Sequence, residues 1–134
     1  MAIRSISATV LFVEDLDKCM KFYRDIVGLE VIPLDAVSLI LKLEGQDFLL
    51  LKLSAAVEMV GEAALSLGQG AGHRVLLCAG VEDVDATYQA FTAKGLTFIK
   101  PPADKAWGRR TAYFADPEGN LWELWQSLEA KPQS

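Results

Sequence analysis

One segment of the sequence occurs twice, and this repeat limits the possible folds more than any other feature. The letters VEDLD at residues 13–17 are matched by VEDVD at residues 81–85, 68 positions later. The letters GLEVI at residues 28–32 are matched by GLTFI at residues 95–99, 67 positions later. Two matches in the same order, one deletion apart, indicate an internal duplication.

Each copy of the repeat has the pattern of a strand, a helix and three more strands. In the first copy Asp15 can cap a helix over residues 16–27, which Gly28 would close in a left-handed conformation. A second amphipathic helix follows from the apolar spacing of Val84, Tyr88 and Phe91. Alternating apolar residues predict the strands of the first copy at residues 3–13, 29–34, 37–43 and 48–53.

The joint between the copies divides the chain into two modules. We predict a first module over residues 1–54, a linker over residues 55–71 and a second module over residues 72–134. Within the joint, residues 57–67 can form a short helix. The glycine-rich residues 68–72 predict a hinge.

Composition and charge exclude several classes of function. The 134 residues suit one compact domain or two small modules, and the net charge of −5 argues against binding to a phosphate backbone. We expect no membrane partner, because no apolar run reaches the roughly 18 residues of a membrane span. Cys19 and Cys78 lie in apolar segments without a CxxC spacing, so we expect two buried free thiols and a cytoplasmic location.

Near the C-terminus, residues 107–125 read as two strands joined by a tight turn. Asp116, Pro117, Glu118 and Gly119 suit the four positions of the turn. Glu123 stands between Trp122 and Leu124 in the second strand. A lone acid in an apolar strand either faces a cavity with a chemical task or is paired for structural reasons, and the sequence leaves both open.

The run Tyr-Phe-Ala-Asp-Pro-Glu-Gly-Asn-Leu-Trp-Glu-Leu at residues 113–124 resembles the C-terminal signature of the vicinal oxygen chelate superfamily. This superfamily includes glyoxalase I, bleomycin-resistance proteins and extradiol dioxygenases, and the resemblance covers about residues 4–127. It implies an α+β fold in which two βαβββ modules form a cup-shaped, partly open eight-stranded barrel with the helices outside. It also implies a small organic ligand inside the cup and a homodimer.

The resemblance further implies metal-ligand positions on the first and last strand of each module. These positions fall on Ala8, Leu76, a residue near Leu50, and Glu123, and only Glu123 can coordinate a metal. We therefore predict no cofactor. The alternative is a divalent metal held by Glu123 and His73, the one histidine of the chain.

Strand alternation around Glu123 selects the residues expected to face the ligand. Leu121 and Trp125 share the parity of Glu123, and the resemblance places a pocket tyrosine at Tyr113. We predict Glu123 and Tyr113 as catalytic residues. The candidate ligand-binding residues lie on the strands expected to line the cup: Phe12, Lys52, Arg74, Trp107, Arg109, Thr111 and Trp125. The alternative is that the aromatic residues belong to the core and that the basic residues extend to solvent.

Two functions from different classes fit this pattern. The first is a metal-independent binder of small molecules, as in the bleomycin-resistance branch of the superfamily. The second is a lyase, isomerase or dioxygenase of the same superfamily, which would use Glu123 as a general base or as a metal ligand. A third reading, assembly without chemistry, would use the apolar residues 57–67 as a contact between two copies of the chain.

Overall fold

The structure is a computed structural model that describes residues 3–66 and 75–128. The chain divides into two compact units, residues 1–72 and residues 73–134. Each unit contains a four-stranded sheet and a helix in the order strand, helix, strand, strand, strand. The predicted α+β fold and the duplication of a βαβββ module are therefore confirmed. His73, Arg74 and the predicted hinge at residues 68–72 lie outside the described residues.

In the first unit the sheet has the strand order β1-β4-β3-β2. Strands β1 and β4 are parallel, and β4, β3 and β2 are antiparallel neighbours. Two short helices follow the last strand. In chain order the elements are β1 (Ala8–Val13), α1 (Leu16–Lys21), a π-helical segment (Phe22–Val27), β2 (Val31–Pro33), β3 (Ser38–Leu41), β4 (Asp47–Lys52), α2 (Leu53–Val60) and α3 (Glu62–Ser66).

The second unit repeats this topology with the strand order β5-β8-β7-β6. Its first and last strands are again parallel, and its remaining pairs are antiparallel. The parallel pairing of first and last strands in both units is the structural form of the sequence repeat. The elements are β5 (Leu76–Gly80), α4 (Val84–Ala93), β6 (Lys100–Lys105), β7 (Arg109–Ala115) and β8 (Leu121–Ser127).

The two helices of the repeat begin in the same way. Asp15 accepts a hydrogen bond from the backbone N–H of Lys18 at 3.0 Å, and Asp83 accepts one from the N–H of Ala86 at 3.0 Å. Each carboxylate thereby satisfies an amide that the first helical turn leaves without a partner. At the other end Gly28 adopts a φ of 85°, as the sequence predicts for the residue that closes the helix.

The one-residue difference between the two copies has a visible structural cause. Asp15 and Gly28 are one position further apart than Asp83 and Gly95, their counterparts. The first copy contains the π-helical segment Phe22–Val27, whereas α4 is α-helical over Val84–Ala93. A π-helical turn accommodates one residue more than an α-helical turn. The extra residue therefore lies within the first helix of the repeat rather than in a loop.

The joint between the copies differs from its prediction. The expected helix over residues 57–67 is replaced by α2, which begins at Leu53, and by α3. Gly61 separates the two with a φ of 88°, a conformation that most other residues avoid. The spacing of apolar residues along the sequence does not reveal that the helix is interrupted at Gly61. No helix within the described ranges is long and apolar enough to cross a membrane.

In each unit one face of the sheet carries the core. Helix α1 packs against β4, and the buried residues Leu39, Leu41, Phe48 and Leu50 form this core in the first sheet. In the second sheet Phe114 contacts Phe91 of α4 at 5.9 Å between ring centroids and stacks on Trp122 at 6.1 Å. Because alternate residues point to opposite faces, Tyr113 and Glu123 lie on the face opposite α4.

Strand register settles which residue of the first unit corresponds to Glu123. Val10 is the partner of Leu49, and Cys78, 68 positions after Val10, is the partner of Glu123. The counterpart is therefore Leu49, one position from the expected Leu50. Leu50 is completely buried on the face that α1 covers. A shift of one residue in a strand moves its side chains to the other face of the sheet. Lys52 shares the face of Leu50, so this shift places Lys52 on the side that α1 covers rather than on the predicted ligand side.

Candidate functional site

The candidate site lies on the hairpin formed by β7 and β8, and the turn between these strands holds it in register. Asp116 is buried and accepts hydrogen bonds from the backbone N–H groups of Glu118 and Asn120 at 2.9 and 2.8 Å. The side-chain amide of Asn120 donates a hydrogen bond to the second carboxylate oxygen of Asp116 at 2.9 Å. Gly119 has a φ of 86° and donates from its backbone to the Asp116 carbonyl. The predicted turn is thus confirmed, with Asp116 as its anchor.

At the centre of the hairpin Tyr113 and Glu123 are direct cross-strand partners. The Tyr113 hydroxyl donates a hydrogen bond to Glu123 Oε2 at 2.7 Å. Burial and this bond to the carboxylate raise the pKa of Tyr113, and the nearby Thr111 hydroxyl opposes the increase. Glu123 is 7% exposed and Tyr113 is half-buried, so the carboxylate is largely shielded from solvent and the phenol is partly so. We call this side of the second sheet the Glu123 face; besides Glu123 and Tyr113, it carries Cys78, Arg109, Thr111, Leu121 and Trp125.

Thr111 places a polar atom on the same face. Its side chain is 1% exposed and lies beside Trp125 in the hairpin register. Among the described residues, Thr111 Oγ1 is buried without a hydrogen-bond partner of adequate geometry. A buried hydroxyl without a partner costs about 1–3 kcal/mol. A ligand atom or a bound water next to Thr111 would remove that cost.

One end of the Glu123 face is formed by a cation stacked on an aromatic ring. The guanidinium carbon of Arg109 lies 3.8 Å from the centroid of the Trp125 ring. The Trp125 ring also lies close to Gly80, where an added Cβ would approach Trp125 Cζ2 to 3.1 Å. A second cation, Lys105, has its Nζ atom 6.0 Å from the centroid of the Tyr113 ring. The face therefore combines one buried acid with two basic groups on aromatic surfaces.

Cys78 also belongs to the Glu123 face, and it is more exposed than the sequence predicts. The thiol was expected to be buried, but Cys78 is exposed on the edge strand β5, whereas Cys19 is buried as expected. Cys78 is the direct partner of Glu123 in the sheet. Partial burial, the negative charge of Glu123 and a hydrogen bond to that carboxylate raise the pKa of the thiol, and Arg109 opposes the increase. The thiol is therefore protonated at neutral pH.

The residues at the superfamily's metal positions do not fit a metal ion. Ala8, Leu49 and Leu76 have no donor atoms, and Glu123 already accepts a hydrogen bond from Tyr113. Within residues 3–66 and 75–128, no three His, Cys, Asp or Glu side chains approach one another closely enough to hold an ion. A stable divalent site in a protein has about three ligands from the chain. His73, the alternative ligand, lies outside these ranges.

The structure changes two of the predicted ligand-binding positions. Lys52 is the partner of Val13 and shares the face of Leu50, so it lies on the side of the first sheet that α1 covers. Trp107 lies in the turn before β7 and is 66% exposed, because the strand begins only at Arg109. Strand alternation therefore does not apply to Trp107. Phe12 lies on the opposite side of the first sheet from α1, and Arg74 is outside the described residues.

A family model for the Glyoxalase/Bleomycin resistance protein/Dioxygenase superfamily matches residues 5–124. The chain belongs to this superfamily, as its C-terminal signature indicated. It is 37% identical to "Uncharacterized protein YraH" of Bacillus subtilis, across 88% of this chain and 94% of that protein. It is 30% identical to "Probable lactoylglutathione lyase" of Synechocystis, across 92% and 95% of the two chains.

Solved structures show the same fold. The crystal structure of a glyoxalase/bleomycin resistance protein/dioxygenase from Nocardioides superimposes with a TM-score of 0.83 at 26% sequence identity. The match covers 100% of this chain and 91% of the other. The similarity extends over both units and supports the assignment of the chain to the superfamily.

Proposed function

We propose that the protein binds a small organic molecule on the Glu123 face and does so without a metal ion. The observation that carries this proposal is the hydrogen bond of 2.7 Å between half-buried Tyr113 and buried Glu123, together with the hydroxyl of Thr111 on the same face, which is buried without a hydrogen-bond partner among the described residues. Polar groups of this kind, set among apolar and aromatic residues, are typical of sites for small ligands. Membership of a superfamily that includes bleomycin-resistance proteins supports the same class of function.

The chemistry of the Glu123 face limits the ligand. Glu123 can accept a hydrogen bond from a hydroxyl or an amine, and Arg109 can contact an acidic or carbonyl oxygen from its place over Trp125. Trp125 offers an aromatic surface beside these two groups. The expected ligand is a compact molecule with a donor at one end and an oxygen acceptor at the other.

A ligand screen in the presence of a chelator tests this function. Quenching of tryptophan fluorescence by a library of small organic compounds in EDTA would identify a ligand, and its Kd would then be measured for variants. We expect Glu123→Gln to weaken binding roughly tenfold, because the glutamine oxygen still accepts a hydrogen bond but lacks the negative charge that strengthens it. Tyr113→Phe should weaken it less.

Glu82→Gln is the matched control, since it removes the same charge from an exposed position of the same unit. Its Kd should equal that of the unaltered protein. A ligand that binds with the same Kd to Glu123→Gln, or that requires added metal, would contradict the proposal.

A glyoxalase-like reaction is the second candidate, and the 30% identity to "Probable lactoylglutathione lyase" favours it. Glu123 would act as the general base that removes the proton from the carbon next to a carbonyl. Tyr113 and Arg109 are the groups on this face that could stabilise the developing oxyanion. In this hypothesis the reaction is catalysed by these three side chains without a metal ion.

A proton-exchange experiment distinguishes the enzyme hypothesis from the binding hypothesis. Lactoylglutathione would be incubated with the protein in D₂O and EDTA, and loss of the proton next to its carbonyl would be followed by NMR. The enzyme hypothesis expects exchange that Glu123→Gln abolishes and Glu82→Gln preserves. No exchange above the protein-free rate would reject this reaction and leave the binding function.

A further inference from the structure

A cleft of about 960 Å³ opens in the first unit, and none of the residues that line it belongs to the Glu123 face. It lies between α1, strands β2 and β3, and the loop that joins these strands. Its apolar walls include Leu16, Met20, Val31 and Leu39. The volume is within the range of about 300–1,000 Å³ typical of small-molecule sites.

The sequence repeat explains how space for the cleft arises beneath α1. In the second unit Tyr88 of α4 and Phe98 lie with their ring centroids 4.6 Å apart, and Phe98 also contacts Phe114 at 5.5 Å. The repeat places Met20 and Val31 at the positions of Tyr88 and Phe98. Both smaller residues line the cleft. The space that aromatic rings fill beneath α4 is therefore left open beneath α1.

Charge around the cleft favours a cation. Two basic side chains line it, Arg24 and Lys52, against five carboxylates: Glu14, Asp15, Asp17, Glu30 and Asp35. The guanidinium of Arg24 already forms an ion pair with Asp25 at 2.7 Å. The lining thus has a formal excess of negative charge next to an apolar floor.

Asp35 is the best-positioned of these acids. Its Oδ1 accepts hydrogen bonds from the Val37 backbone N–H at 2.9 Å and the Ser38 hydroxyl at 2.8 Å. These bonds hold the pKa of Asp35 below its ordinary value and keep the carboxylate charged and oriented. Asp17, on the first turn of α1, pairs with exposed Lys21 at 2.9 Å. A ligand cation would compete with that lysine for a weak surface pair.

We infer that this cleft is a second binding site, specific for a small organic cation with an apolar body, such as a primary amine on a short hydrocarbon or aromatic chain. The apolar part would occupy the space bounded by Met20 and Val31, and the charge would lie towards Asp17 and Asp35. The site is independent of the function proposed for the Glu123 face, since its residues belong to the first unit.

Three probes of equal length and different charge test this inference: 4-phenylbutylamine, 4-phenylbutanol and 4-phenylbutyrate. Titrations would be followed by the backbone amide resonances of isotope-labelled protein. We expect the amine to shift the resonances of Leu16, Met20 and Val31 and to bind at least several-fold more tightly than the alcohol. The anion should bind most weakly. Equal affinity for the three probes, or shifts confined to other residues, would overturn the inference.

Two variants of different design locate the site. Met20→Tyr combined with Val31→Phe copies the aromatic filling of the second unit and should abolish binding of the amine. Asp17→Asn combined with Asp35→Asn keeps the shapes and should weaken binding roughly threefold to tenfold, the scale of two partly exposed ion pairs. Asp47→Asn, at an exposed position outside the cleft, should change nothing.

The second variant keeps the test decisive if the aromatic variant fails to fold, because asparagine can still accept the bonds of Val37 and Ser38. Amine binding that is unchanged in the Asp17→Asn, Asp35→Asn protein would reject the charge argument. Amine binding that is unchanged in a folded Met20→Tyr, Val31→Phe protein would reject the location.

Discussion

At the scale of single residues, the candidate site depends on where one carboxylate lies relative to its neighbours. Glu123 has Tyr113 on one side and Cys78 on the other, each a direct partner across the sheet. The pKa of both neighbours is raised, by burial first and then by interaction with Glu123. Because both pKa values respond to Glu123, titration of either neighbour reports whether a negative charge is present beside it.

The first prediction concerns the reactivity of Cys78. The pKa of Cys78 is raised above 9.0, the ordinary pKa of a thiol, so little thiolate should be present at neutral pH. Because the thiolate is the reactive form, alkylation by iodoacetamide should be slow at neutral pH and faster in alkali. Glu123→Gln removes a negative charge that disfavours the thiolate, and the pH midpoint should move to a lower value. Burial persists in this variant, so the shift should be partial. Rates would be read by mass spectrometry of the peptide that contains Cys78.

Two features make this measurement selective. Cys19 is buried and should stay unmodified in the folded protein. Glu82→Gln removes a charge elsewhere in the same unit and should leave the midpoint unchanged. Equal midpoints for the unaltered protein and Glu123→Gln would show that the carboxylate carries no charge next to the thiol.

The sequence correctly predicts which face of the sheet a residue occupies wherever the bounds of its strand are clear. Tyr113, Thr111 and Glu123 were placed on one face because alternation in a β-strand has a fixed period of two. The same rule failed for Lys52, since the register of β4 was wrong by one residue. It failed for Trp107 because the start of β7 depends on the turn at Gly108, where φ is 83°. The exposure of Cys78 depends on its place on an edge strand, which alternation does not reveal.

At the scale of elements, one ion pair ties α4 to the second sheet. Arg110 of β7 donates two hydrogen bonds to Asp85 at 2.8 and 2.9 Å and a third to Asp104 of β6 at 2.8 Å. The amide of Val84 also donates to the Gln126 side chain at 2.6 Å. The first turn of α4 is thus bonded directly to β7 and β8, and Arg110 also links β7 to β6.

The second prediction follows from the pKa of Asp85, which its hydrogen bonds to Arg110 lower below the ordinary value of 3.8. A carboxyl with a lowered pKa stabilises the fold at neutral pH and loses that contribution as the pH falls through its folded-state value. Asp85→Asn should therefore have a lower Tm than the unaltered protein at neutral pH, and the difference should close in acid below pH 3.8.

Thermal unfolding followed by circular dichroism across this pH range measures the effect. Exposed Glu82→Gln serves as the control and should show no such convergence. A Tm difference for Asp85→Asn that stays constant into strong acid would contradict the assignment of this stability to the charged pair.

The third prediction tests the π-helical segment as the location of the extra residue. Deletion of Asp25, which is exposed, should convert this segment to an α-helix with the spacing of α4. We expect the protein to fold with a Tm lowered by about 4 °C or less, the scale of roughly 1 kcal/mol in a domain of this size. Deletion of Gln89, also exposed but within the α-helical α4, is the matched control.

The Gln89 deletion should be far more harmful, because it rotates one end of α4 by a whole residue. Tyr88 and Phe91 could then no longer contact Phe98 and Phe114 together. Circular dichroism and thermal unfolding of both proteins would decide the matter. Equal loss of stability in the two deletions would show that the π-helical segment does not absorb an extra residue.

At the scale of the whole molecule, the duplication was the most informative property of the sequence. It predicted the element order, and the letters around it predicted the Asp15 cap and the Gly28 terminus of the first helix, because these features depend on local backbone chemistry. The cleft beneath α1 could not be predicted in this way. It results from the volumes that Met20 and Val31 leave unfilled, and such volumes appear only when side chains are packed in three dimensions.

Exposed apolar residues on α2 give a reason to expect two copies of the chain in solution. Val57, Met59 and Val60 are 36%, 61% and 44% exposed on a helix of eight residues, while Ala56 of the same helix is completely buried. Single apolar residues are common on protein surfaces, but several on one short element are typical of a contact site. A homodimer is also the assembly that the superfamily resemblance implied.

The fourth prediction is that the protein dimerises through α2. Sedimentation velocity at micromolar concentration should show a species of twice the mass of one chain, and Met59→Lys combined with Val60→Lys should convert it to the monomer by placing two charges in an apolar contact. Glu58→Lys places positive charge at a position of the same helix that is exposed and already charged, and this variant should sediment as the dimer. A monomeric unaltered protein, or a double-lysine variant that remains dimeric, would exclude α2 as the contact surface.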